Sequence, residues 1–182
     1  MSKIDRRIRK TQEAIKQSLI ELMSKKNFEE ITIQNIADEA DVSRGTVYLH
    51  YLDKYDLLDK LIEEHLNEMK TICESTAQAE YDEANLPWFE YLEENFLFFS
   101  TMLKNKETYK SFHEKFLRFL EEEFKDEINV KSGKNNGLNA EILLQFIVTS
   151  YVGIVEWWIM NEMPYSSEVM SKQIGELLER NL

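Results

Sequence analysis

Apolar positions recur at intervals of three and four along most of this chain, the pattern of helices that bury one side. Ile4, Ile8, Thr11, Ile15, Leu19 and Leu22 predict a first helix from about Ile4 to Met23, with Arg6, Arg9, Lys10 and Lys16 off its stripe. Thr32 suits the N-cap of a short helix from Ile33 to about Ala40, buried through Ile33, Ile36 and Ala37. Asp41-Val42 leaves room only for a tight turn, and Ser43 caps a brief helix of about Arg44 to Tyr51. Asp53 opens a long fourth helix whose stripe is Leu57, Leu58, Leu61, Ile62, Leu66, Met69 and Ile72. Pro87 fits the first turn of a fifth, which runs through Trp88, Leu92, Phe96, Phe99 and Leu103 to a break at Lys104-Asn105-Lys106. A further helix reaches about Ile128. Residues 131–137 form a loop. A helix from Leu138 to about Glu162 stops before Pro164, and Ser166 or Ser167 caps a last one. No stretch alternates as a strand does, and no segment repeats. The pattern predicts an all-α protein of about nine helices.

The helix at 138–162 differs from the rest in being apolar nearly all round from Phe146 to Met160. That run is shorter than the ~20 residues a bilayer crossing needs, and it carries Thr149, Ser150 and Glu156. A helix covered on two sides, by its own domain and by a second copy of the chain, is the better reading. It predicts a two-fold homodimer through residues 138–162 and 167–181, with Tyr151, Ile154, Trp157, Trp158, Met170, Ile174 and Leu177 in the seam, and no membrane.

Charge changes the picture by where it lies. The net charge of -12 comes from 22 basic and 34 acidic residues, of which 11 and 11 fall within residues 1–60. Residues 1–26 alone hold 8 basic against 3 acidic. A locally basic head thus precedes an acidic body, an asymmetry that orients the molecule toward a polyanion. One cysteine excludes an internal disulfide and suits a reducing compartment. The charged start MSKIDRRIRK has no apolar segment behind it, so a cytoplasmic location is expected.

Thr32 to Lys54 has the layout of a helix-turn-helix supported by the first helix. Val47 faces inward and Val42 fills the turn. Ser43, Arg44, Gly45 and Thr46 offer the short polar outer face that a recognition helix needs to sit in the major groove. Gly45 removes bulk where backbone meets DNA and leaves the helix start open to phosphate. Tyr48, His50 and Lys54 are donors spaced to follow one strand. Arg44 suits a guanine edge and Tyr48 a phosphate. For His50, DNA contact and packing on the fourth helix both stay open.

Residues 31–58, ITIQNIADEADVSRGTVYLHYLDKYDLL, resemble the tetracycline-repressor (TetR) family of bacterial transcription regulators. The run V-S-x-G-T-hydrophobic-Y-x-H-aromatic-x-x-K-x-x-L-L carries the likeness, with Tyr51 where the family often has Phe. The resemblance implies a DNA-binding domain at 1–52 and an effector-binding, dimerising domain at 53–182, joined through the helix from 53 to about 75. It also implies DNA contacts at Thr32, Ser43, Arg44, Gly45, Thr46, Tyr48, His50 and Lys54. Residues 151–174, YVGIVEWWIMNEMPYSSEVMSKQI, look like the carboxy-terminal helix pair of a subgroup common in low-GC Gram-positive bacteria.

The aromatic set Trp88, Tyr91, Phe96, Phe99, Phe112, Phe116 and Phe119 reads either as core, the usual fate of such stripes, or, by the resemblance, as the lining of an effector cavity bounded by 87–103, 109–124 and 138–162. His65, Cys73 and His113 have poor zinc spacing, Cys73 reads as a buried inert thiol, and no catalytic set or cofactor motif stands out. The expected function is a ligand-responsive repressor on a palindromic operator in double-stranded DNA, with a small apolar or aromatic effector. The alternative is a regulator controlled by a protein partner; an enzyme is not expected.

Overall fold

The computed structural model describes residues 3–76 and 79–182; the side chains of residues 3–5, 81 and 82 are outside the description, so the Ile4 end of the first stripe is too. The described residues form nine α-helices and two short 3-10 turns, with no strand among them. The first four helices are α1 (Lys3–Lys25), α2 (Ile33–Glu39), α3 (Arg44–Tyr48) and α4 (Lys54–Thr76). α1 buries Ile15, Leu19, Ile20, Leu22 and Met23, while Ile8 stays exposed, so only the carboxy-terminal part of its stripe is covered. Thr32 and Asn35 close a capping box at α2, each side chain accepting the other's backbone N–H. The α2–α3 turn places Asp41 at φ 52°, a left-handed position that Asp tolerates. α3 is shorter than the pattern suggested. Asp53 captures the chain immediately after it, its Oδ1 accepting from the backbone N–H of Tyr55 (2.8 Å) and of Asp56 (2.9 Å) to start α4.

The body consists of α5 (Tyr81–Glu94), α6 (Phe96–Lys104), α7 (Lys106–Phe124), α8 (Ala140–Met160) and α9 (Ser167–Asn181). Two sequence expectations fail here. Pro87 lies inside α5 rather than in its first turn, because Tyr81–Leu86 already extend the helix before it. The stripe at 87–103 is not one helix: it divides at Asn95, whose side-chain amide donates to the Tyr91 carbonyl (2.8 Å) and closes α5. Asn105, Asn139 and Ser166 then cap α7, α8 and α9.

α5 lies along α9, α8 packs on α6 and α7, and α1 reaches the body through α6, so one apolar core runs from head to body. α8 meets the length and hydropathy of a membrane span, contrary to the expectation that its apolar run is too short. Its inner face, including Leu143, Ile147, Val148, Val155 and Trp158, is instead packed inside the protein.

α4 is tied to both ends of the molecule. Lys16 of α1, expected on an open face, is buried. Its ammonium donates to Glu64 of α4 (2.7 Å) and Glu13 (2.8 Å). Burial pulls the Lys16 pKa down, but the bonds to Glu13 and Glu64 more than offset it and the net shift is upward. Lys115 of α7 pairs with Asp59 at 3.0 Å. His65 of α4 stacks on Phe98 (centroids 3.8 Å apart) and its Nδ1 lies 2.6 Å from the Tyr91 hydroxyl.

Candidate nucleic-acid interface and body cleft

The helix-turn-helix side chains sort into three groups. Thr32, Ser43 and Thr46 hold the backbone: Thr32 Oγ1 accepts from the Asn35 N–H (3.2 Å), Ser43 Oγ accepts from the Thr46 N–H (3.1 Å), and the Ser43 and Thr46 hydroxyls lie 2.9 Å apart. Their caps fix α2 and α3, which are too short to be stable alone. Arg44 and Tyr48 form the second group. Both are exposed on α3, and neither makes a hydrogen bond or ion pair among the described residues. Gly45 lies between them, and a Cβ built on it meets only Ser43 Oγ, at an ordinary 3.6 Å. The free fold therefore leaves room for a side chain there. His50 is half-buried, its ring edge-on to Tyr51 at 6.2 Å.

Lys54 forms the third group alone, and its placement departs from the expectation of a free phosphate donor. Its side chain is 13% exposed. The ammonium donates to the carbonyls of Phe28 (2.9 Å) and Glu29 (3.0 Å) and sits 4.7 Å from the Phe28 ring centroid. It ties the start of α4 to the 3-10 turn Phe28–Glu30.

Sequence reasoning missed two features of the head. Arg6, Arg7 and Lys10 line a groove of about 370 Å³ against Ala40 and Val42, beside the α2–α3 turn. The basic excess of residues 1–26 was the signal, but the helical stripe alone does not say which basic residues face α2. Leu49 and Leu52, just after α3, are 80% and 81% exposed, and no periodicity distinguishes them from core leucines.

The expected aromatic cavity is filled. Phe112 stacks on Phe116 (5.6 Å), Trp88 stacks on Phe116 (6.1 Å), and Phe98 meets Phe99 edge-on (5.0 Å). Phe99, Phe112 and Phe116 are almost wholly buried by one another, while Phe96 and Phe119 are half-buried against the core. Tyr91 is taken up by His65. Of the predicted set, Trp88 alone lines a cleft of about 450 Å³ between the end of α4, α5 and the end of α7, while Phe119 borders a neighbouring groove of about 540 Å³ between α4 and α7. Its floor is Trp88, Phe124 and Tyr151, whose rings lie 5.2 Å (Trp88–Tyr151) and 5.6 Å (Phe124–Tyr151) apart. The Tyr151 hydroxyl donates to Asn85 (2.8 Å), and burial holds its pKa well above the ordinary tyrosine value. Cys73 faces the same cleft, and burial pushes its thiol up to about 12, which keeps it neutral.

The expected dimer residues divide likewise. Tyr151, Trp158, Met170 and Ile174 are buried within the single chain, and Trp158 Nε1 donates to the Tyr165 carbonyl (2.9 Å). Ile154 is half-buried. Trp157 and Leu177 are exposed, together with Ile142, Phe146 and Met160 on the same helix as Trp157.

Residues 17–61 match the family profile described as bacterial regulatory proteins, tetR family, and residues 79–180 match that of a transcriptional regulator C-terminal region. The HTH-type transcriptional regulator YxbF of Bacillus subtilis (strain 168) is 23% identical over 175 residues, covering 91% of this chain and 44% of that protein. The chain thus spans less than half the length of that relative. Among solved structures, a TetR transcriptional regulator from Streptococcus agalactiae 2603V superposes with a TM-score of 0.71 at 24% identity, covering 96% of each chain. The transcriptional regulator FadR from Bacillus subtilis, in complex with stearoyl-CoA, gives 0.67 at 21% identity, covering 93% of this chain and 98% of that one. With its capped helix-turn-helix and its all-α body both matched in one chain, the protein belongs to the tetR family of bacterial regulatory proteins.

Proposed function

We propose that this regulator is a cytoplasmic homodimeric repressor that holds a palindromic operator in double-stranded DNA and releases it when a small apolar or aromatic effector enters the body cleft. In this reading residues 1–52 bind DNA, and residues 53–182 bind the effector and dimerise. The observation that carries it is the surface of α3. Arg44 and Tyr48 stand free on a helix whose caps are already satisfied, so their donors have no task inside the protein. Thr32, Ser43, Gly45, Thr46 and His50 complete that surface, and Arg6, Arg7 and Lys10 add phosphate partners beside it.

Two recognition helices must lie about one turn of DNA apart, ~34–36 Å, to read two half-sites. α4 links the two activities. Its start is anchored to the head through Lys54 and its middle through the Glu64–Lys16 pair, and its end forms a wall of the cleft. An effector that prefers one position of α4 shifts the spacing of the heads by its differential affinity for the two states. The filled aromatic core favours the rival reading, control by a protein partner. The cleft beneath the end of α4 supports a small molecule instead.

The test is selection of bound sequences from random duplex DNA, followed by titration of variants. Enrichment of an inverted repeat with half-sites one helical turn apart supports the reading, and binding without sequence preference rejects it. Arg44→Ala is expected to cost about 1–3 kcal/mol on the selected operator and less on scrambled DNA. Equal losses on both remove Arg44 from base reading. Lys54→Ala is expected to act differently from a phosphate contact. It takes the ammonium from the Phe28 and Glu29 carbonyls, of which Phe28 keeps the Ile31 N–H (3.1 Å), lowers stability by about 1–3 kcal/mol and weakens both DNAs together, leaving the salt slope nearly as in the parent. A slope reduced by about one ion would restore Lys54 to the phosphates.

Gly45→Ala separates fold from function. The free protein has space for the methyl, and alanine favours helix by up to ~1 kcal/mol, so the melting temperature should hold or rise. Operator affinity should nevertheless fall about tenfold or more, equivalent to at least ~1.4 kcal/mol, because the added Cβ stands where backbone meets DNA. Unchanged affinity would show that Gly45 does not approach the duplex.

A further inference from the structure

The two most exposed large apolar side chains among the described residues, Leu49 and Leu52, stand beside α3, at 80% and 81%. Leu49 is the one that the helix aims. It is the C-cap of α3, and its φ of -67° and ψ of -23° continue the helical path. Its backbone N–H donates to the Gly45 carbonyl, one turn back, at 3.1 Å. Val47 is fully buried and marks the inner side of α3. Gly45 and Leu49 stand two residues before and after it, each about 200° round a helix of 3.6 residues per turn, so both face away from the core. Arg44 and Tyr48 lie to one side of that outward line and Thr46 to the other. Gly45 contributes no side chain there, so Leu49 meets first whatever surface α3 meets.

An isobutyl group left wet in the free protein gains from apolar cover. It has no donor or acceptor, so against a phosphate or a polar base edge it would displace water and return no hydrogen bond. The major groove offers such a side chain one apolar group, the C5-methyl of thymine. The surroundings of Leu49 suit a polyanion rather than an apolar protein face: Arg44 and Tyr48 flank it with donors that have no partner among the described residues, and the groove of Arg6, Arg7 and Lys10 opens beside the α2–α3 turn. We infer that Leu49 packs on a thymine methyl in each half-site, and that this contact joins Arg44 in selecting the operator sequence. Leu52 lies beyond α3, its backbone N–H held by the Asp56 carboxylate (2.9 Å), and takes no part in reading the base. The inference rests on the operator reading and adds to it a base that each half-site must contain.

The experiment is titration of the full chain with the selected operator, in which each thymine is replaced in turn by deoxyuridine. The replacement removes the methyl and leaves sugar, phosphate and pairing edge as they were. The parent is expected to lose about fourfold in affinity at one thymine position per half-site, the worth of one buried methyl-sized group, and about fifteenfold when both half-sites carry uracil. Leu49→Ala should bind the thymine and uracil operators equally. Leu49→Met, which keeps an apolar tip, should retain the discrimination. Leu49 is exposed, so both variants should melt as the parent does. Leu52→Ala should discriminate as the parent does. An operator with no methyl-sensitive thymine, the same methyl effect in Leu49→Ala as in the parent, or its loss in Leu52→Ala instead each overturns the inference while the operator reading stands. Failure to select any operator sinks that reading and this inference with it.

Discussion

Phe146→Glu or Trp157→Glu should turn a dimer into a monomer and weaken binding to a two-half-site operator about 10²–10⁴-fold, the advantage lost when two linked contacts become one. Both side chains lie on the outer face of α8, which carries Ile142, Phe146, Trp157 and Met160 at 71%, 57%, 47% and 43% exposure. Gly153 stands between them with open space around its Cα, which allows a second helix to approach closely. Leu177 of α9 extends the patch. Contiguous large apolar groups at that exposure mark an interface, and aromatic anchors near its centre carry most of the binding energy. A glutamate at either position places an unpaired charge in an apolar seam as well as removing an anchor. The monomer should keep its fold, because neither side chain belongs to the core. Trp158→Ala gives the contrasting result. Trp158 is fully buried, edge-on to Phe89 at 5.4 Å, so its truncation should cost about 3–5 kcal/mol of stability. Sedimentation at micromolar concentration, with thermal melting in parallel, separates the outcomes. A Trp157→Glu protein that still sediments as a dimer removes this face of α8 from the assembly.

The two neighbouring tryptophans also show how far the sequence reading reached. The apolar period of α8 is plain in the sequence, and so is its excess of apolar surface over what one side of a helix needs. Which tryptophan faces in depends on where α5 and α9 lie, and periodicity is blind to that when both faces are apolar. The head was more legible because its signals are local. Thr32, Ser43 and Asp53 cap helices within three residues of themselves, and such contacts follow from spacing alone. Lys16 and Lys54 show the opposite case. Each looks like a surface cation in one dimension, and each is claimed by acceptors distant in the chain, Glu64 for one and the Phe28 and Glu29 carbonyls for the other. The cleft was misplaced for a related reason. The sequence leaves the large aromatics open between core and lining, and rings of that size fill space when three helices bring them together. The opening lies where α4 and α7 end and small or polar residues such as Ala79, Ala84 and Asn85 leave room. Asn95, which splits one predicted helix in two, gave no warning beyond its modest helix propensity.

His65 should make the protein lose stability as pH falls from about 6.5 to 4, with the loss approaching about 3 kcal/mol at the acid end. Burial lowers its pKa from 6.5 to about 4, and the nearby Lys16 ammonium adds to the shift. The ring is held on three sides: Phe98 stacked at 3.8 Å, Phe99 edge-on at 5.5 Å, and the Tyr91 hydroxyl 2.6 Å from Nδ1. The sign follows from which state binds the proton. In the unfolded chain His65 takes a proton near 6.5, whereas in the folded protein it stays neutral until about 4. Between those values acid favours the unfolded state, so this contribution is complete above 6.5 and vanishes by about 4. Carboxylates titrate in part of the same window, so the readout must be a difference. Urea unfolding of the parent and of His65→Gln at pH 7, 6, 5 and 4.5 gives it. Glutamine keeps a hydrogen-bonding group toward Tyr91 but cannot be protonated. The stability gap between the two proteins should narrow, or reverse in favour of the variant, as pH falls. A gap constant with pH, or a His65 ring that titrates near 6.5 in the folded protein by NMR, would show that the site is wet and that His65 is not a neutral buried link between α4 and α5.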